Sequence, residues 1–61
     1  MPEKYPQLLW CMWQGHSARD MAEVTGLTEN TVKFYLRDIY RRIGSRGKSA
    51  LESFMKREGL L

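Results

Sequence analysis

Residues 28–44, TENTVKFYLRDIYRRIG, constrain the fold more than any other part of the chain, because as a helix they carry two faces that no single environment satisfies. With Val32 set at zero on a helical wheel, Val32, Leu36, Ile39 and Ile43 recur at i, i+4, i+7 and i+11 and form a narrow apolar stripe. That stripe has to be buried against other elements. Asn30, Lys33, Phe34, Arg37 and Arg41 share the opposite side, so an amide, three cations and an aromatic ring point outward together. Such a face suits a DNA major groove, where Arg and Lys read guanine and an amide reads adenine. It has a plainer reading as a solvated basic surface, and the stripe alone does not choose between the two.

Size removes several alternatives. A chain of 61 residues holds one small domain with one modest core, in which a deep active-site cleft is hard to build. Its 43% hydrophobic and 28% charged residues are ordinary for a globular domain, with no long apolar run and no cleavable leader. A soluble protein of the cytoplasm, associated with a bacterial-type nucleoid, is expected. The single cysteine, Cys11, cannot form an internal disulfide and lies in the apolar run 8–13, as a buried reduced thiol would. His16 has no Cys, His or acidic companions at metal-ligand spacing. No catalytic residue, metal or cofactor is expected, and the chain does not read as an enzyme.

Charge is more informative by position than by total. The net charge is +3 and the pI near 9.4, but residues 33–48 hold six bases (Lys33, Arg37, Arg41, Arg42, Arg46, Lys48) against one acid, Asp38, a local balance of +5. Elsewhere four bases face six acids, a balance of −2. Basic charge gathered on one helix and the loop after it is the electrostatic footprint of a polyanion binder. A membrane surface fits less well, since Trp and basic residues do not share a segment as interfacial anchors would.

Start and stop signals divide the chain into four helices, an all-α domain over 1–61. The first spans 5–14, with Pro6 tolerated in its first turn and Gly15 as its stop. Ser17 and Asp20 make an S-x-x-D capping box that opens a second helix over 17–24, with Met21, Ala22 and Val24 on its apolar side. A tight turn through Gly26 leads to Thr28, the cap of the third helix over 28–43. Glu29 in that helix's first turn favours its dipole. Gly44 ends the third helix in a basic loop, Ser49 caps a fourth over 49–58, and Leu60 and Leu61 fold back after Gly59.

A short helix, a glycine turn and a longer basic-faced helix make a helix-turn-helix, whose second helix enters the major groove. The pattern over residues 15–44, GHSARDMAEVTGLTENTVKFYLRDIYRRIG, resembles the LuxR/GerE-type DNA-binding domain, and the similarity continues through Lys48 to Gly59-Leu60-Leu61. Gly15-x-Ser17, Ala22, Thr31-Val32-Lys33, Ile39-Tyr40-Arg41-Arg42 and Gly44 carry it. The resemblance implies a sequence-specific transcription regulator that binds double-stranded DNA as a homodimer on a two-fold site. By motif position it implies base contacts from Lys33, Phe34 and Arg37, which the helical wheel also turns outward together with Asn30. Phosphate contacts are implied for Thr28 and Thr31, and are expected for Ser17, Arg41, Arg46 and Lys48. It also implies dimerisation through the last helix, with Leu51, Glu52, Met55 and Lys56 facing a partner. In a second reading Leu51, Phe54 and Met55 are internal core.

The sequence departs from the family at Tyr5, Tyr35, Trp13 and Ser45; Ser45 stands where an aliphatic residue is usual. Trp10, Met12 and Trp13 leave the first helix apolar around much of its circumference. Either the tryptophans pack over the edge of a small core, or the three form a patch that binds a protein partner, such as a regulator or RNA polymerase. Under the latter reading the chain is an adaptor or anti-regulator that uses the same fold. Relatives usually append this domain to a receiver or sensor, and Met1-Pro2-Glu3 at the domain's edge favours a free-standing regulator over an excised effector domain.

Overall fold

The computed structural model describes residues 3–61, so Met1 and Pro2, and the expectation drawn from them, lie outside it. It contains four helices: α1 (Tyr5–Trp13), α2 (Ala18–Thr25), α3 (Glu29–Ile43) and α4 (Lys48–Arg57). The architecture is all-α, as the sequence predicts. α2 packs on α3 across the Gly26 turn, while α1 bridges to α4 and holds the pair from behind.

Local chemistry explains most of the boundaries. The Ser17 Oγ accepts the Asp20 backbone N–H, and the Thr28 Oγ1 accepts that of Thr31, so two orphan donors are satisfied at the starts of α2 and α3. At the end of α1 the chain reverses through Gly15, whose φ of +81° only glycine adopts readily. There the His16 N–H reaches back to the Cys11 carbonyl at 3.0 Å, and the Gly15 N–H reaches that of Met12 at 3.1 Å. The same two-bond closure ends α4 at Gly59, where the Leu60 N–H bonds the Met55 carbonyl at 2.8 Å. Leu60 is thereby laid against the core, but Leu61 stays 43% exposed and does not fold back.

Two further expectations are corrected. α2 continues through Thr25, so the apolar side assigned to Val24 belongs to Thr25: Val24 is exposed, and Thr25 is buried. The Thr25 hydroxyl can be buried because it donates to the Met21 carbonyl one turn back, at 2.7 Å. α4 begins at Lys48 with Gly47 as its cap and no side-chain capping bond, which places Ser49 inside the first turn. Gly47 is extended, and its carbonyl already accepts the Leu51 N–H at 3.1 Å, so the helical ladder starts two residues earlier than a Ser49 cap would allow.

The core joins Leu8 and Leu9 of α1, Met21 of α2, Val32 and Ile39 of α3, and Met55 of α4. Val32 and Ile39 are the centre of the predicted apolar stripe, with Leu36 and Ile43 partly buried at its edge. Cys11 is buried and free, and burial raises its thiol pKa, which keeps it protonated. The core therefore fixes α3 with one side inward and commits its opposite side to solvent.

Candidate nucleic-acid interface

The outward side of α3 carries Asn30, Lys33, Phe34, Arg37 and Arg41, all exposed, Phe34 to 66%. The face expected from helical periodicity is thus present and uncovered. Lys33 sits 3.3 Å from Glu29 one turn earlier. Phe34 meets Tyr35 edge-on at 6.1 Å between centroids and turns most of its ring to solvent. At the start of the helix the Thr28 hydroxyl donates to the Thr31 Oγ1 at 2.9 Å while accepting the Thr31 N–H. The Thr28 proton is committed by this arrangement. Both hydroxyls sit beside the positive end of the helix dipole.

The two flanks of this face differ. On the side of the α3–α4 loop, Lys33, Leu36, Arg37, Tyr40 and Arg46 line a shallow recess of about 240 Å³. The Arg46 guanidinium lies over the Tyr40 ring at 4.9 Å, and the Lys48 Nζ lies over the Trp13 ring at 4.8 Å. A neighbouring cleft of about 270 Å³ also touches Tyr40, Arg46 and Lys48. Lys33, Arg37, Arg46 and Lys48 therefore form a basic track from the exposed side of α3 to the start of α4.

On the other flank positive charge is neutralised. The Arg42 Nε donates to Asp38 Oδ2 at 3.0 Å, and its guanidinium covers the Tyr5 ring at 5.5 Å. Tyr5 donates to the same carboxylate oxygen, and hydrogen bonds from Tyr5 and then Arg42 hold the Asp38 pKa below its usual value. Burial, reinforced by the bond to Asp38, pushes Tyr5 up to about 12. Arg42, counted with the basic cluster from sequence, belongs to this structural triad. Among the described residues no group of three or more His, Cys, Asp or Glu side chains could hold a metal ion, and no helix is long and apolar enough to cross a membrane.

With this geometry the sequence matches the family described as bacterial regulatory proteins, luxR family (GerE), over residues 6–55. The chain belongs to that family. A luxR-family domain is a DNA-binding regulatory helix-turn-helix, which accounts for a four-helix fold that buries one side of α3 and exposes a cationic one. No curated protein and no solved structure gives a match.

The remaining expected residues are distributed unevenly. Ser17 is exposed at the start of α2, and Thr31 is half-buried at the start of α3. Leu51 and Met55, assigned to a partner-facing surface in the luxR-type pattern, lie instead in this chain's own core at 7% and 0% exposure. Their sequence partners Glu52 and Lys56 form an ion pair at 3.8 Å within the helix. Trp10 is exposed, whereas Met12 and Trp13 pack against the core. Two residues apart on a helix, Trp10 and Met12 point about 160° apart, so the three do not form one patch. Sequence reasoning missed Tyr40 and Trp13 as seats for cations and Tyr5 as a tether to Asp38. These pairs join separate segments or opposite ends of a loop, and no periodicity links them.

Proposed function

We propose that the protein is a sequence-specific transcription regulator whose α3 lies in the major groove of double-stranded DNA. The observation that carries this reading is the exposure of Asn30, Lys33, Phe34 and Arg37 on one side of a helix whose opposite side is locked in the core. Arg37 and Lys33 supply donors for guanine O6 and N7, Asn30 matches the donor–acceptor pair of adenine, and Phe34 offers an apolar contact for a thymine methyl. Ser17, Thr28, Thr31, Arg41, Arg46 and Lys48 hold the phosphates on either side and set the register without reading sequence. Thr28 acts there chiefly through the N–H groups at the start of α3, since its hydroxyl is engaged with Thr31.

Binding as a homodimer on a two-fold site belongs to the same reading. Of the residues assigned to the partner, Glu52 and Lys56 are the two whose side chains reach the surface of α4. A role as an adaptor for another regulator or for RNA polymerase relies on α1, where Trp10 is exposed but Met12 and Trp13 are partly buried against the core. The α3 face is the better supported surface.

Amide chemical-shift mapping of the labelled protein with a 20-base-pair duplex tests the assignment. Shifts centred on residues 28–37 and 46–48 are expected. Shifts centred on α1 around Trp10, or none, would overturn it.

A further inference from the structure

Cations in this structure are held in two chemically different ways. Lys33 and Arg42 are paired with carboxylates, Glu29 at 3.3 Å and Asp38 at 3.0 Å, and Arg42 covers the Tyr5 ring as well. Among the described residues Arg46 and Lys48 have no such partner and lie instead over the faces of Tyr40 and Trp13, at 4.9 and 4.8 Å. An aromatic face attracts a cation through its quadrupole and carries no net charge. It restrains the side chain and leaves the positive charge available to an outside anion.

Lys48 is the more telling case because its location is otherwise unfavourable. It is the first residue of α4, at the positive end of that helix's dipole, and the first turn contains no acidic residue. The cap, Gly47, contributes no side-chain bond. What restrains the Lys48 side chain is the indole of Trp13, on a different helix and itself partly buried against the core. Trp presents the strongest cation-binding face of the aromatic residues.

We infer that Trp13 is a positioning residue for DNA binding: its ring seats the Lys48 ammonium, unneutralised, at the end of the basic track where a backbone phosphate passes. The inference rests on the DNA reading of α3 and extends it to α1. Holding Lys48 in place beforehand reduces the side-chain entropy lost when a phosphate is engaged. Tyr40 does the same for Arg46 from within α3. Trp13 itself touches no phosphate and acts through Lys48.

A double-mutant cycle on a fluorescein-labelled 20-base-pair duplex, titrated over a range of KCl concentrations, tests this directly. Lys48→Met is expected to lower the slope of log affinity against log salt by about one. Trp13→Leu is expected to weaken binding about two- to fivefold in the native background and to have no effect in the Lys48→Met background. Trp13→Phe, which keeps a ring with a weaker face, falls between native and Trp13→Leu and serves if Trp13→Leu does not fold. Equal losses from Trp13 substitution in both backgrounds, or no loss in either, would overturn the role. A second readout needs no DNA: the Lys48 ε-methylene protons are shifted upfield by the indole ring current in the native protein and return to ordinary values in the Trp13 variants. Absence of that shift refutes the seat itself. A native protein that shows the shift yet binds no duplex refutes the DNA reading and this role with it, and leaves the seat standing.

Discussion

Tyr5 on α1 donates its phenolic proton to Asp38 Oδ2 on α3 across 2.5 Å, and the same oxygen accepts the Arg42 Nε at 3.0 Å. This junction ties the supporting helix to the exposed one on the flank away from the basic track. It also gives the fold a pH dependence at both ends of the scale. The Asp38 pKa lies below its unfolded value near 3.9. Its contribution is therefore complete above about pH 4 and is lost as pH falls through the folded value. For Tyr5 the folded pKa of about 12 lies above the unfolded one. That contribution is complete below about pH 10 and is lost as pH rises toward 12. The melting midpoint should be level near neutrality and fall on both sides. Tyr5→Phe should lower the plateau by about 5 °C and flatten both limbs, as read by circular dichroism. An unaltered pH profile in that variant would show that the pair does not couple to folding.

Phe34 provides a test free of folding effects, because its ring is largely in solvent. Phe34→Ala should move the melting midpoint by no more than about 2 °C. If the ring meets a thymine methyl, replacing one thymine of the bound site by deoxyuridine will weaken native binding and leave the Phe34→Ala complex unaffected. Equal losses for both proteins would remove Phe34 from the base-reading set.

Arg37 and Lys48 should separate reading from holding. Arg37→Ala is expected to cost about 1 to 3 kcal/mol on the preferred site and to relax preference at one base pair. Lys48→Ala should weaken all duplexes alike and reduce the salt slope by about one. Fluorescence anisotropy on preferred and scrambled duplexes distinguishes the two patterns, and similar small effects of both would argue against groove insertion.

Met55 tests whether α4 turns its apolar side inward. It is fully buried, so Met55→Ala should cost about 2 to 5 kcal/mol and leave so small a domain largely unfolded. Exposed Lys56→Ala should change stability by less than about 0.5 kcal/mol. Urea unfolding monitored by tryptophan emission reads both. A Met55→Ala protein that stays folded but loses self-association would return Met55 to a dimer surface.

Much of the architecture is legible in the sequence because it is written in local chemistry. The caps Ser17 and Thr28 bond their own backbones, and the stripe through Val32 and Ile39 requires only a helical period to be recognised. The start of α4 was less legible because Gly47, which has no side chain to bond the backbone, does the work expected of Ser49. Val24 and Thr25 exchanged roles for a similar reason: a threonine hydroxyl satisfied by the carbonyl one turn back is as easily buried as a valine. In the candidate site the outward α3 residues follow from periodicity. The Trp13–Lys48 and Tyr5–Asp38 pairs join residues 35 and 33 positions apart and exist only once the helices have packed.

The central claim is that α3 reads base sequence, and selection from a pool of random duplexes at physiological salt tests it most directly, run in parallel on the native protein and Arg37→Ala. The account predicts an enriched motif of two inverted half-sites for the native protein, and the same motif with one position per half-site made degenerate for Arg37→Ala. Retention of duplex DNA by the native protein with no enriched motif would contradict it.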